Sequence, residues 1–289
     1  MDRAPVENGS FGDRLASRVR GRRSQIVLGL DPDPARLWPR ALELVDQGAG
    51  GGTGQGDWVA GADAATPSGA DGGLDRNLAA RRAGRAVAAH CRLVLEAAGD
   101  QCVAVKPQVA CFERLGAPGW AALDEVVSDA RQRGLIVIAD AKRGDVDITA
   151  RAYGQAFFAG TPTPFGHVPG IGADALTVNP LLGRDSLVPL VDAARSSGGA
   201  VFVLVRTSNP GAADVQDQEL SAGGSVSHAV AGLVDELGRP GIESGLADVG
   251  AVVGATASEQ LESLRAAMPS AVFLLPGVGA QGGTGSDLG

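Results

Sequence analysis

The sequence predicts an α/β fold, either an α/β barrel or a doubly wound sheet, on three observations. Seven short apolar runs recur along the 289 residues, their hydrophobicity is continuous rather than alternating, and most are followed by an amphipathic stretch of helical length. Continuous apolar character fits parallel strands, which are buried on both faces. Strand–helix alternation is the signature of repeated βαβ units. In both architectures functional groups collect at the carboxyl ends of the strands.

The predicted strands are 26–31, 102–107, 135–141, 175–179, 200–207, 249–256 and 272–279, and the clearest helical stretches are 78–98, 120–133, 186–196, 226–237 and 258–267. With 44% hydrophobic residues the chain can fill a sizeable core, and it reads as a single domain over 1–289. Two regions break the rhythm. Residues 48–73, including GAGGGTGQGDW, are Gly/Ala/Asp-rich without a period and read as a flexible surface insertion after the first strand. After the seventh run the sequence closes with GAQGGTGSDLG, so either the sheet is open or a barrel lacks its eighth strand–helix unit.

Composition narrows the function classes. No run of about 18 apolar residues exists, so no membrane span is expected, and the N-terminus lacks a signal-peptide pattern. Cys91, Cys102 and Cys111 lack metal-ligand spacing and read as buried thiols of a cytoplasmic protein. A net charge of −8 argues against general nucleic-acid binding, although a local cluster of donors still allows an anionic small substrate. Of 25 basic residues only Lys106 and Lys142 are lysines. In a chain that otherwise uses arginine, a lysine points to a task arginine cannot perform, such as giving up a proton.

The densest signal is VIADAKRGDVDIT, residues 137–149. Side chains two apart on a strand share a face, so Asp140 and Lys142 are expected to project together near its carboxyl end. Asp145 follows in a turn that Gly144 permits. Two carboxylates around one ammonium would keep it charged; the plain alternative is a structural ion pair. Lys106 in CVAVKPQVACFE and Asp31 in IVLGLDPDP occupy equivalent strand ends. Three strands would thus deliver Asp31, Lys106, Asp140 and Lys142 to one rim. Thr207, Ser208 and Asn209 in RTSNPGA could bond a base edge or simply cap a turn. PGVGAQGG, residues 276–283, is a glycine-rich loop whose amides suit a phosphate. His90, His167 and His228 show no paired spacing and are assigned no catalytic role.

Taken in order, LGLDPDP, AVKPQVACFE, IADAKRGDV, TVNPLLGRDSL, RTSNPGA and PGVGAQGG resemble the orotidine 5′-phosphate decarboxylase family, in its bacterial branch that carries DAKRGD. The resemblance implies a (β/α)8 TIM-type barrel, here with the eighth strand–helix unit missing. It also implies a homodimer with shared active sites, no metal and no cofactor, acting in pyrimidine biosynthesis on a nucleotide substrate. By that likeness Lys142 donates the proton to C6 of the pyrimidine, Asp140 lies against the substrate carboxylate, and Lys106 links the network to ribose. Asp31 would bind a ribose hydroxyl, Asp145 and Thr149 would reach the partner's site, and Ser208 would bond the pyrimidine. Gln281 and Gly282, with neighbouring amides, would hold the phosphate side. Family members continue into an eighth strand whose arginine grips the phosphate, so weakened phosphate binding is expected here.

Three other readings share parts of this pattern. A Mg²⁺-dependent phosphosugar decarboxylase or synthase of the same barrel superfamily carries a D-x-K-x-x-D strand. A Schiff-base aldolase would use a buried lysine as nucleophile, which flanking aspartates disfavour by keeping it protonated. The non-enzyme reading is a catalytically silent binding or dimerisation remnant.

Overall fold

The computed structural model describes residues 9–48, 71–255 and 258–276. Helix α1 (Phe11–Arg22) precedes strand β1 (Val27–Leu30), followed by α2 (Pro39–Gly48) and α3 (Asp71–Ala98). Next come β2 (Ala104–Pro107), α4 (Val109–Glu113), α5 (Ala117–Gln132), β3 (Ile136–Arg143) and α6 (Asp147–Gly154), which runs into a π-helical turn at Gln155–Ala159. Strands β4 (Thr161–Thr163) and β5 (Gly166–Val168) form a small antiparallel hairpin. The rest is β6 (Ala175–Val178), α7 (Arg184–Ser196), β7 (Ala200–Arg206), α8 (Val226–Leu237), β8 (Val249–Val253), α9 (Ser258–Ala267) and β9 (Phe273–Leu274).

The main sheet has seven strands among the described residues, in the order β1-β2-β3-β6-β7-β8-β9, every pair parallel. Neighbours follow chain order without reversal, which is the arrangement of a barrel and not of a doubly wound sheet. Strand parity explains the continuous apolar runs. Val105, Val137, Ala139, Leu176, Val178, Val201, Val203, Ala251 and Val253 pack outward against the helices. Their alternates, Ala104, Ile136, Ile138, Ala175, Ala200, Phe202, Val252 and Leu274, form one interior cluster around which the sheet curls. Both faces are therefore dry, and neither carries a polar residue until the strand ends.

Helix α1 closes the amino-terminal mouth of this interior. Its charged sequence, FGDRLASRVRGR, hides an apolar stripe of Phe11, Leu15 and Val19 that joins the interior cluster. Phe11 meets Phe202 edge-on, with ring centroids 6.2 Å apart. Ser10 caps the helix by accepting from the Asp13 N–H at 3.2 Å. Arg14 and Arg22 bind carbonyls of the strand-entry loops at Gly198, Gly99 and Cys102.

Each predicted strand has an observed counterpart; five of the first six are shortened by up to three residues at their ends, while the third starts one residue later and runs two residues further, to Arg143. The predicted seventh strand shrinks to Phe273–Leu274, and its residues 277–279 lie outside the described residues. Of the insertion expected over 48–73, Gly48 ends α2 and residues 71–73 begin α3, while 49–70 lie outside the described residues. Among the described residues no helix is long and apolar enough to cross a membrane.

Candidate active site

The interior faces change character along their length. Parity carries Val27 and Gly29 to Asp31, Ala104 to Lys106, Ile136 and Ile138 to Asp140, and Ala175 to Thr177. The pairing of Gly29 with Lys106 and of Gln108 with Asp140 sets adjacent strand ends level with one another. An apolar floor thus gives way to a polar rim at the carboxyl ends.

Asp140 is the centre of that rim. Its side chain is 8% exposed and accepts four hydrogen bonds. Lys106 Nζ lies 2.7 Å from Oδ2 and Gln108 Nε2 lies 3.1 Å from the same oxygen. Lys142 Nζ is 2.6 Å from Oδ1, and Thr177 Oγ1 donates to Oδ1 at 2.9 Å. Burial alone would raise the Asp140 pKa, but the two ammonium groups outweigh it and hold the carboxyl below its usual range. Within the described chain two ammoniums share the Asp140 carboxylate.

The proximity of Lys142 to Asp140 also has a different origin from simple pleating. Ala139 pairs with Leu176 and Arg143 with Val178, so four steps along β3 match two along β6. The strand bulges between them, and Lys142 takes φ 48, in the left-handed region. Its N–H turns to the Thr177 hydroxyl at 2.9 Å. The Lys142 side chain remains 45% exposed, against 17% for Lys106, so Lys142 is the ammonium open to a ligand.

Arg143 anchors the far side of the bulge. It pairs with Glu113 at the end of α4 and stacks over Tyr153 and Phe157, its guanidinium carbon 5.3 and 5.7 Å from their ring centroids. Asn179 N–H bonds its carbonyl at 2.8 Å. Gly144 is needed for a close approach and not for a left-handed turn, since a Cβ there would lie 2.7 Å from the Asn179 carbonyl oxygen.

The remaining predicted residues are placed less tightly. Asp145 accepts from the Val146 N–H at 2.8 Å and makes no ion pair with either lysine. Thr149 is exposed on α6. Asp31 is exposed at the end of β1, in a loop braced by Arg114, whose guanidinium binds the Pro32 carbonyl at 2.5 Å. Ser208 packs close to Gly254 in the loop after β7. Its neighbours are occupied in the turn: Thr207 Oγ1 donates to Asn209 Oδ1 at 2.7 Å, and Thr207 N–H donates to Gln216 Oε1 at 2.7 Å. Gln281 and Gly282 lie outside the described residues. Among the described residues no group of three or more His, Cys, Asp or Glu side chains is placed to hold a metal ion.

Residues 75–289 match the Orotidine 5'-phosphate decarboxylase / HUMPS family. The chain belongs to that family. An orotidine 5'-phosphate decarboxylase of Deinococcus radiodurans is 48% identical over 200 residues, covering 68% of this chain and 67% of the relative. One of Haloarcula marismortui is 38% identical over 273 residues, covering 94% and 78%. The solved OMP decarboxylase of Leishmania donovani is 30% identical, with a TM-score of 0.63 over 93% of this chain and 80% of that one. This likeness assigns the curled parallel sheet to the α/β-barrel fold of the orotidine 5'-phosphate decarboxylases.

Two groups bonded to Asp140 escaped the sequence reading, Gln108 and Thr177. Both sit inside segments that carry the family likeness, AVKPQVACFE and TVNPLLGRDSL. The available signal was parity: Thr177 is the polar residue on the interior face of a strand otherwise apolar, level with the bulge of its neighbour.

Proposed function

We propose that this chain decarboxylates orotidine 5′-phosphate to uridine 5′-phosphate without metal or cofactor, with Lys142 as the proton donor to C6. The observation that carries this is the buried Asp140 carboxylate held between Lys106 and the more exposed Lys142. Membership of the orotidine 5'-phosphate decarboxylase / HUMPS family supplies the substrate class.

The chemistry follows from the charges. The C6–carboxylate bond breaks, CO₂ leaves, and the bonding electron pair stays on C6. An ammonium already fixed beside that carbon stabilises the developing charge without reorganising and then transfers its proton. Asp140 fixes the ammonium and repels the substrate carboxylate, a repulsion relieved as CO₂ departs neutral. Asp31 binds ribose and Lys106 links ribose to Asp140. Ser208 meets the pyrimidine, while Gln281 and Gly282 hold the phosphate, whose binding energy offsets the strain at the reacting carbon.

The active form is a homodimer in which Asp145 and Thr149 serve the partner's site. Exposed apolar side chains near this rim support that reading: Val146 and Ile148 beside Asp145, and Leu181 and Leu182 after β6. The donor set also argues against the Mg²⁺-dependent reading, because both Asp140 oxygens already accept from ammonium groups that a divalent cation would have to displace. The test is loss of orotidine-phosphate absorbance with protein stripped by a chelator. Turnover undiminished by chelation is expected; turnover that vanishes and returns with Mg²⁺ would overturn the proposal.

A further inference from the structure

The bulge in β3 leaves Lys142 without the strand contacts that normally fix a residue. It sits at φ 48, a left-handed conformation that a non-glycine residue adopts only against a steric cost. Its N–H has left the ladder to β6, and its side chain projects half into solvent. Strain of this kind persists only where the surroundings impose it.

Arg143 anchors one side of the bulge, and a hydroxyl on the neighbouring strand takes the Lys142 N–H itself. Thr177 is 1% exposed and lies on β6, opposite the bulge. Its Oγ1 accepts from the Lys142 backbone N–H at 2.9 Å and donates to Asp140 Oδ1 at 2.9 Å. The same oxygen of Asp140 takes the Lys142 ammonium at 2.6 Å. Backbone, ammonium and carboxylate of the two residues are thereby closed into one ring through Thr177. A hydroxyl can do this because it donates and accepts at once; neither a methyl group nor a carboxylate could.

We infer that Thr177 is a positioning residue for the decarboxylation, holding the bulge so that the Lys142 ammonium stays aimed at the reacting carbon. This rests on the function proposed above. At 1% exposure Thr177 offers a substrate almost no surface, so its loss should register in the chemical step and not in affinity. The charged groups facing it are Asp140 on β3, with Lys142 beside it and Lys106 arriving from β2. Without the hydroxyl, Asp140 keeps three donors and loses the one that also grips the Lys142 backbone.

The experiment compares wild type, Thr177→Val, Thr177→Ser and Lys142→Ala, each as the full chain. Measured are kcat and KM for orotidine phosphate, the Kd for uridine phosphate, the pH profile of kcat, and the ¹⁵Nζ spectrum of lysine-labelled protein. That spectrum carries two side-chain signals, because the chain has two lysines. Thr177→Val should lower kcat about 10- to 100-fold, as expected for one charge-assisted hydrogen bond. KM and the uridine-phosphate Kd should stay within about threefold, the acidic limb of the kcat profile should move to higher pH, and the Lys142 signal should shift. Thr177→Ser should restore kcat to within about threefold of wild type. Should the valine variant not fold, Thr177→Ala takes its place with the same expected outcome. A kcat within about twofold of wild type in the hydroxyl-free variant, or equal losses in the serine and valine variants, would overturn the inference. A wild type without turnover would instead refute the proposed function, and the inference would then fall if the Lys142 signal is unchanged in Thr177→Val.

Discussion

Replacing Asp140 by asparagine removes one charge from the middle of four donors, and the structure sets the size of the effect. Asparagine keeps one acceptor oxygen and turns an NH₂ toward groups that are themselves donors, so one side of the network loses its partners. The bonds on the two sides do not weigh equally. Lys142 is 45% exposed and can rehydrate its ammonium, so that contact contributes little. Lys106 is 17% exposed and bonds Oδ2, Thr177 is 1% exposed and bonds Oδ1, so whichever side receives the NH₂ leaves one of them with an unmatched polar group in poor contact with water. Removing a charged partner from such groups costs about 2–4 kcal/mol in total, a large share of the roughly 5–15 kcal/mol that holds a domain folded.

The pH dependence is a second signature of the same carboxylate. Its folded-state pKa lies below the unfolded value of about 3.9. The stability it contributes is therefore fully present above about pH 4 and is lost as pH falls through the folded-state value. Urea unfolding of wild type and Asp140→Asn should show a lower midpoint for the variant at neutral pH, with the gap closing on acidification below about pH 4. An asparagine variant as stable as wild type at neutral pH, or a gap that stays constant into acid, would refute this account of the cluster.

Arg143→Met removes the pair with Glu113 and the stacking on Tyr153 and Phe157, and should destabilise the fold by about 1–3 kcal/mol in thermal unfolding, with Arg143→Lys recovering little because an ammonium lacks the planar fork. Ile148→Glu places a charge on a side chain 73% exposed in the single chain, at the surface proposed to meet the second subunit. It should shift the protein from dimer to monomer in sedimentation with little loss of stability per chain, and an unchanged dimer would remove that surface from the interface.

The parts of this architecture visible in the sequence are those governed by local periodicity. Seven apolar runs became seven parallel strands because burial on both faces leaves an unbroken hydrophobic signature, as in Ile136–Ala139. Asp31, Lys106 and Asp140 were legible as strand-end residues because parity is a local property. What escaped depends on register between distant segments. The bulge between Ala139 and Arg143 is defined only against β6, so the reason Lys142 meets Asp140 could not be read from the spacing D-x-K. For the same reason Thr177 looked like an ordinary strand threonine. Gln108 and Glu113 likewise acquire meaning only when α4 is folded beside the end of β3. Helix α1 was hidden for a different reason. Its apolar stripe is one residue wide and three long in a helix rich in arginine, so composition masked the face that plugs the barrel.

The central claim is that Lys142 supplies a proton and not merely a positive charge. Lys142→Arg tests it most directly, because arginine keeps the charge beside Asp140 but does not release a proton near neutral pH. Measured as kcat for orotidine-phosphate decarboxylation, the variant should fall by about 10²- to 10⁴-fold, the range a positioned general acid supplies. A kcat for Lys142→Arg within tenfold of wild type would contradict the account.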